Sequence, residues 1–235
     1  MRRLLPALLL VAIALSAADN IPTNSGDLTV TPLGHGSVQL GFEGKTWYID
    51  PWSNAADYSE LPKADVILIT DIHGDHMDPD AVAAVKKPST VIIAPAAVQE
   101  TVTEAKTLAN GAAITVAGVR VEAVPMYNLK RGPEEGKLFH DKGRGNGYIL
   151  TMGGKRIYFS GDTEAHAEMR ALENIDVAFV CMNLPYTMPP DEAADGVKAF
   201  QPAVVYPYHY RGSDLAVFQK ALAGEPIEVR LRDWY

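Results

Sequence analysis

One cysteine is too few for an internal disulfide, and with no second thiol a Cys-based zinc site is excluded as well. Cys181 lies in the apolar run Val177–Met182 and reads as a buried core residue. Positive charge is also scarce. The 21 Lys and Arg residues face 29 Asp and Glu, a net charge of −8, which argues against a nucleic-acid partner because phosphate binding needs clustered cations. Beyond the first eighteen residues no apolar run approaches the roughly 20 residues of a transmembrane helix. There is no linker, internal repeat or low-complexity tract. The Gly-x-Ser-x-Gly elbow is missing, so a serine hydrolase built on Ser160 beside Asp162 loses its main support.

Residues 1–18 stand apart. Arg2 and Arg3 give a positive start, Leu4–Leu15 an apolar stretch, and Ser16-Ala17-Ala18 a small-residue cleavage pattern. This reads as a secretory signal peptide, with export to the periplasm or medium and a mature chain of residues 19–235 that forms one domain.

From Leu28 to Asp50 the pattern is strand, turn, strand, turn, strand, with turn chemistry at Gly34-His35-Gly36 and Glu43-Gly44-Lys45. Val66–Ile69 and Val91–Ala94 suit short buried strands. Pro79–Val85 between them suits a helix capped by Asp78, and Pro95 can open another. Val119–Val124, Gly147–Thr151 and Lys155–Ser160 return to strands, with Gly153-Gly154 turning a hairpin. Strands at Val177–Met182, Ala203–Tyr206 and Ile227–Val229 then alternate with helices starting near Pro189-Pro190-Asp191 and Ser213-Asp214. Two β-sheets packed face to face with helices outside is the expected α/β architecture. Tyr127–Asn146 fits neither period, and a polar segment of that length inside a compact domain is usually functional or disordered.

The chemistry concentrates in Thr70-Asp71-Ile72-His73-Gly74-Asp75-His76, directly after the strand Val66–Ile69. Side chains at a strand's end converge, and imidazole with carboxylate is the ligand set of zinc and similar divalent ions. With these residues the chain resembles the metallo-β-lactamase superfamily, whose signature at this place is His-x-His-x-Asp-His. Ser160-Gly161-Asp162-Thr163 is similar to the loop carrying the family's metal-bridging Asp, Tyr208-His209-Tyr210 to its final metal-binding His, and Asp50 to its early structural Asp. Leu33-Gly34-His35-Gly36-Ser37 and Tyr208-His209-Tyr210 look most like the branch containing the ascorbate-6-phosphate lactonase and N-acylphosphatidylethanolamine phospholipase D. The resemblance implies an αββα sandwich and a metal-dependent hydrolase of an ester, lactone or phosphodiester. A non-catalytic metal-binding pseudo-enzyme of the same fold is the alternative, because two of the family's histidines are absent.

Carried over by position, the resemblance puts His73 at a first metal position, Asp75, His76 and His209 at a second, and Asp162 between them. Asp71 stands where the family has a histidine. Its third first-position histidine has no match near Pro125–Asn128, which leaves Asn128 or His140 for that place. One or two divalent ions are implied, zinc foremost and manganese as the alternative, with Asp162 orienting the attacking water and Asp75 as ligand or proton acceptor. An oxygen-rich first position favours harder ions, so unequal affinities are expected, and Asp71→His is expected to tighten zinc there.

His35, in a Gly-flanked turn, is either a group behind the site or a surface histidine. His166 reads as part of a solvated helix face, and Tyr206, Tyr208 and Tyr210 as pocket wall or packing. Within Tyr127–Asn146, Lys130, Arg131, Lys137, Lys142 and Arg144 outnumber Glu134, Glu135 and Asp141. This local excess suggests an anionic small-molecule substrate held by Lys142 and Arg144.

Overall fold

The computed structural model describes residues 18–235; the signal-peptide expectation falls on residues outside this range. The first half of the chain forms one seven-stranded sheet in chain order: β1 (Asp19–Thr23), β2 (Gly26–Gly34), β3 (Ser37–Phe42), β4 (Lys45–Ile49), β5 (Val66–Leu68), β6 (Val91–Ala94) and β7 (Lys106–Thr107). A second seven-stranded sheet holds β8 (Ala113–Val116), β9 (Val119–Met126), β10 (Gly145–Met152), β11 (Lys155–Phe159), β12 (Val177–Cys181), β13 (Val204–Tyr208) and β14 (Glu228–Val229), again in sequence order. Each sheet begins with antiparallel hairpins and ends in parallel pairs, β4 to β7 in the first and β11 to β14 in the second.

The period-2 alternation of the strands sorts their side chains into layers. Trp47, Ile49, Val66, Leu68 and Ile93 enter the core shared with the second sheet, whereas their neighbours Tyr48, Ile67, Ile69, Ile92 and Ala94 face a separate outer core. That outer core is closed by α1 (Pro79–Val85) through Ala81, Val82 and Val85. Asp78 caps α1 by accepting from the backbone of Asp80 and Ala81. On the second half lie α2 (Ala167–Arg170), α3 (Pro190–Phe200) and α4 (Leu215–Ala221). Phe200 of α3 packs edge-on against Tyr158 of β11, while Phe179 stacks with Phe159 on one side and Tyr206 on the other, on the opposite face. The result is the αββα sandwich expected from the sequence.

Most strands lie where the residue pattern puts them. The two-residue β7, β1 and β8 carry no pattern of their own. Pro95 opens a short 3-10 turn over Ala96–Glu100 rather than a full helix. Among the described residues no helix is long and apolar enough to cross a membrane.

Polar contacts join the sheets where the candidate residues collect. Asn146 N donates to Thr70 O at 2.8 Å, the Tyr148 hydroxyl to Ile69 O at 2.9 Å, and His209 N to His35 O at 2.9 Å. Gly145 is required at this junction, because a Cβ there would meet the Thr70 carbonyl at 2.9 Å.

Candidate metal centre

Four chain segments bring their side chains to one point between the sheets. Asp71, His73, Asp75 and His76 follow β5, Asp162 follows β11, His209 follows β13, and His140 comes from the long loop between β9 and β10. Ligand atoms of Asp71, His73 and His140 form one group within 4.8 Å, and those of His76, Asp162 and His209 form another. Asp162 lies between them. Its Oδ2 is 3.4 Å from His140 Nε2 and 3.4 Å from His76 Nε2, and its Oδ1 is 3.5 Å from His209 Nε2. Asp75 Oδ2 is 3.4 Å from His209 Nε2.

Hydrogen bonds behind the centre decide which ring nitrogen is free. His76 Nδ1 donates to Asp50 Oδ2 at 2.8 Å, and Asp50 also accepts from Thr70 N and Oγ1, so Nε2 is the His76 nitrogen that faces inward and would be the one offered to a metal ion. Asn128 Nδ2 donates to the carbonyls of Arg131 and Tyr186. Its Oδ1 therefore accepts from His140 Nδ1 at 3.0 Å, leaving His140 Nε2 as an acceptor aimed at Asp162. The sequence left Asn128 and His140 as alternatives for one place. The structure puts His140 at the centre and Asn128 behind it as its orienting partner.

His35 is buried at the β2–β3 turn and sits behind Asp75. Arg211 N donates to the Tyr235 hydroxyl, whose own proton then goes to His35 Nδ1 at 2.8 Å, so His35 Nε2 donates to Asp75 Oδ2 at 2.9 Å. Burial lowers the His35 pKa, in keeping with a neutral ring. His35, Asp50 and His209 all hold positive φ, at 53°, 44° and 45°, backbone strain that collects at functional sites.

The residues fit a divalent cation. His76 Nε2, His140 Nε2, both His209 ring nitrogens and Asp162 Oδ1 are buried without a hydrogen-bond partner among the described residues. Such orphans are costly unless something fills the space between them. Burial raises the Asp162 pKa, but His209 and His76 outweigh this and hold it well below the usual carboxylate range. Burial likewise lowers His76, and Asp162, Asp50 and Asp75 together lift it well above an ordinary histidine. Carboxylates and imidazoles packed this closely stabilise one another's charge as a cation would.

Each of the loop cations has a carboxylate partner. Arg144 grips Asp71, Lys142 pairs with Glu168, Lys130 with Glu192, Arg131 with Glu164 and Glu192, and Lys137 with Glu134. Counting charges within the loop missed Asp71, Glu164, Glu168 and Glu192, which neutralise it from outside. His166 is a correction: it is not on a solvated face but buried at the N-cap of α2, accepting from Met169 N and stacked on Tyr127. A short loop-to-helix turn needed a cap, and a ring nitrogen supplies it. Tyr208 donates no wall to a pocket; it is buried, and its hydroxyl accepts from Gly161 N at 3.0 Å beside Asp162. Tyr206 lies in the aromatic stack and Tyr210 packs on Tyr235. Cys181 is buried in the core, its thiol pushed up to about 12 by burial.

Three residues support the centre in ways that the sequence did not show. Glu164 is fully buried and accepts from Leu129 N and Arg131 N, tying down the loop that delivers His140. Tyr235 sets the His35 tautomer, and Thr70 steadies Asp50. A cavity of about 800 Å³ adjoins the centre. Leu33, Trp52, Leu61 and Tyr235 line it, and His35 is the wall that it shares with the metal-facing residues.

A model of the β-lactamase superfamily domain matches residues 29–209, and with the paired sheets and the His/Asp centre it settles the class: the chain belongs to the metallo-β-lactamase superfamily. Its relatives there are named UPF0173 metal-dependent hydrolases. One from Thermococcus onnurineus is 32% identical over 220 residues, spanning 84% of this chain and 92% of its own length. Another, from a Geobacillus strain, is 31% identical over 194 residues, 78% of this chain and 85% of its own. The crystal structure of a candidate metal-dependent hydrolase from Parabacteroides distasonis superposes with a TM-score of 0.89 at 42% identity, covering 94% of this chain and all of that one.

Proposed function

We infer that this protein is a metal-dependent hydrolase whose centre holds one or two divalent ions, zinc foremost, and cleaves an ester, lactone or phosphodiester of a small molecule. The observation that carries this reading is the set of orphaned, buried atoms of His76, His140, His209 and Asp162 converging on one space. A divalent ion bound there would lower the pKa of its water from 15.7 to roughly 7 and polarise the scissile carbonyl or phosphoryl oxygen.

The residues divide the remaining work. Asp71, His73, His140 and Asp162 would hold one ion, and Asp75, His76, His209 and Asp162 the other. Asp162 is placed to orient the attacking water from between the two groups. Asp75 keeps one oxygen on His35 and offers the other inward, which suits a ligand better than a free base. The adjoining cavity, with Leu33, Trp52 and Leu61 in its wall and Asp57, Glu60, Asp233 and Arg211 among its polar residues, would receive the organic part of the substrate. An anionic group would have to compete with the carboxylates that already occupy Lys142 and Arg144.

The test is turnover of neutral and anionic esters, lactones and phosphodiesters, before and after chelation and after return of Zn²⁺ or Mn²⁺. Metal-restored hydrolysis of one class supports the reading. Stoichiometric metal binding with no turnover of any substrate would favour a pseudo-enzyme of the same fold, and preference for anionic substrates would return Lys142 and Arg144 to substrate binding.

A further inference from the structure

The carboxylate standing in the place of an imidazole has a dedicated partner. Arg144 Nε lies 3.2 Å from Asp71 Oδ1 and its NH2 group 3.1 Å from Oδ2. Asp71 is fully buried, and the Arg144 side chain is only 20% exposed. A guanidinium fork meeting both oxygens fixes the plane of a carboxylate as well as its charge. Oδ2 is then held 2.8 Å from His73 Nδ1 and 3.9 Å from His140 Nε2, the oxygen turned toward the first group.

The backbone builds this pairing. Arg144 N donates to Asp141 O at 3.2 Å across a turn that Gly143 completes at φ 87°, and Asn146 N donates to the carbonyl of Thr70, the residue before Asp71. The close approach at Gly145 leaves Arg144 opposite Asp71.

We propose that Asp71 and Arg144 act as one unit replacing the imidazole of the first metal position: the carboxylate supplies the donor oxygen, and the guanidinium cancels its charge and holds its plane. The proposal rests on the metal-centre reading above. An imidazole ligand is neutral, and so is the Asp71–Arg144 pair, whereas a lone aspartate would add a negative charge. Arg144 is thus a positioning residue. Without it, the buried carboxylate keeps only its contact with His73 Nδ1, its plane is no longer fixed by the fork, and the donor oxygen loses its direction. Asp71→His alone leaves a guanidinium unpaired beside a cation, so it should not tighten zinc, contrary to what the sequence by itself suggests.

A double-mutant cycle tests the unit with Asp71→His, Arg144→Met, the double variant and Arg144→Lys. Zn²⁺ and Mn²⁺ affinities are read by competition with a chromophoric chelator, and circular dichroism with thermal unfolding of the metal-free proteins checks folding. Arg144→Met should weaken one of two binding steps by about 10–100-fold and leave the other unchanged. Arg144→Lys should lose part of this, because an ammonium is a point charge without the planar fork. Asp71→His should weaken the same step, and the double variant should restore zinc to at least the parent affinity. Additive effects, or zinc as tight in Asp71→His alone as in the double variant, would overturn the unit while the metal centre stands. If Arg144→Met fails to fold, unchanged affinities in Arg144→Lys together with tightened zinc in Asp71→His overturn it equally. A parent that binds neither ion would overturn the metal centre and the unit together.

Discussion

The two halves of the centre are built differently. The half around His76 and His209 is rigid: His76 is fixed by Asp50, Asp75 by His35 and Tyr235, and His209 stacks on His76 and packs at a tilt against His35. The half around Asp71 relies on a loop. His140 arrives from the segment between β9 and β10, held by Asn128, and His73 is 43% exposed where His76, His140 and His209 are 1%. One half is set by strand ends and strained turns, the other by side chains that tie a loop to the sandwich. Preorganised ligands hold an ion more tightly than ligands that must be ordered, so the first half should be the tight position and the second the weak one.

The largest effect should come from His209→Ala, which deletes a ligand of the rigid half. It should remove the tightly held ion and nearly all hydrolysis, as metal analysis of the dialysed variant would report. Retention of a full complement of metal would contradict the assignment. Asp50→Asn should come next. It breaks a buried pair with His76, at a cost of about 3–5 kcal/mol of stability, and should weaken the tight step by about 10–100-fold; denaturant unfolding and metal titration read the two effects separately.

Asn128→Leu should act on the other half alone. With Oδ1 gone, His140 loses the acceptor that sets its tautomer, and the weak step should fall by roughly 10-fold while the tight step holds. Equal losses at both steps would erase the distinction between the halves. The smallest effect should come from Glu168→Gln. The hydrogen bonds from Lys142 and Tyr127 hold the Glu168 carboxyl down at about 2. A lowered carboxylate stabilises the fold above its unfolded value and loses that contribution as pH falls through the folded one. The variant should therefore show a slightly shallower drop in thermal midpoint between pH 4.5 and about 2, slight because the pair is exposed. A drop as steep as the parent's, or steeper, would mean that Glu168 does not hold the loop.

The same contrast explains what the sequence revealed. The β5 loop, the Asp162 turn and the His209 turn were legible because each follows a short apolar strand, and strand ends put their side chains in predictable places. Asp78 was legible as a cap, for local chemistry is written locally. The loop was opaque. Its partners Glu164, Glu168 and Asp71 are distant in sequence, so its apparent positive excess turned out to be paired charge, and no local signal shows that Asn128 stands behind His140 rather than beside it. His166 misled for a related reason: a histidine at a helix start looks solvated until the strand end at Pro125 and the ring of Tyr127 are packed on it.

Zinc titration of the metal-free parent and of His140→Ala, by chelator competition, tests the inequality of the two halves most directly. The parent should bind in two steps separated by at least about 10-fold, the scale on which orienting partners act. His140→Ala should lose only the weaker. Two equally tight ions in the parent, or loss of the tighter step in His140→Ala, would show that the rigid half and the loop-fed half do not divide the metal as their construction implies.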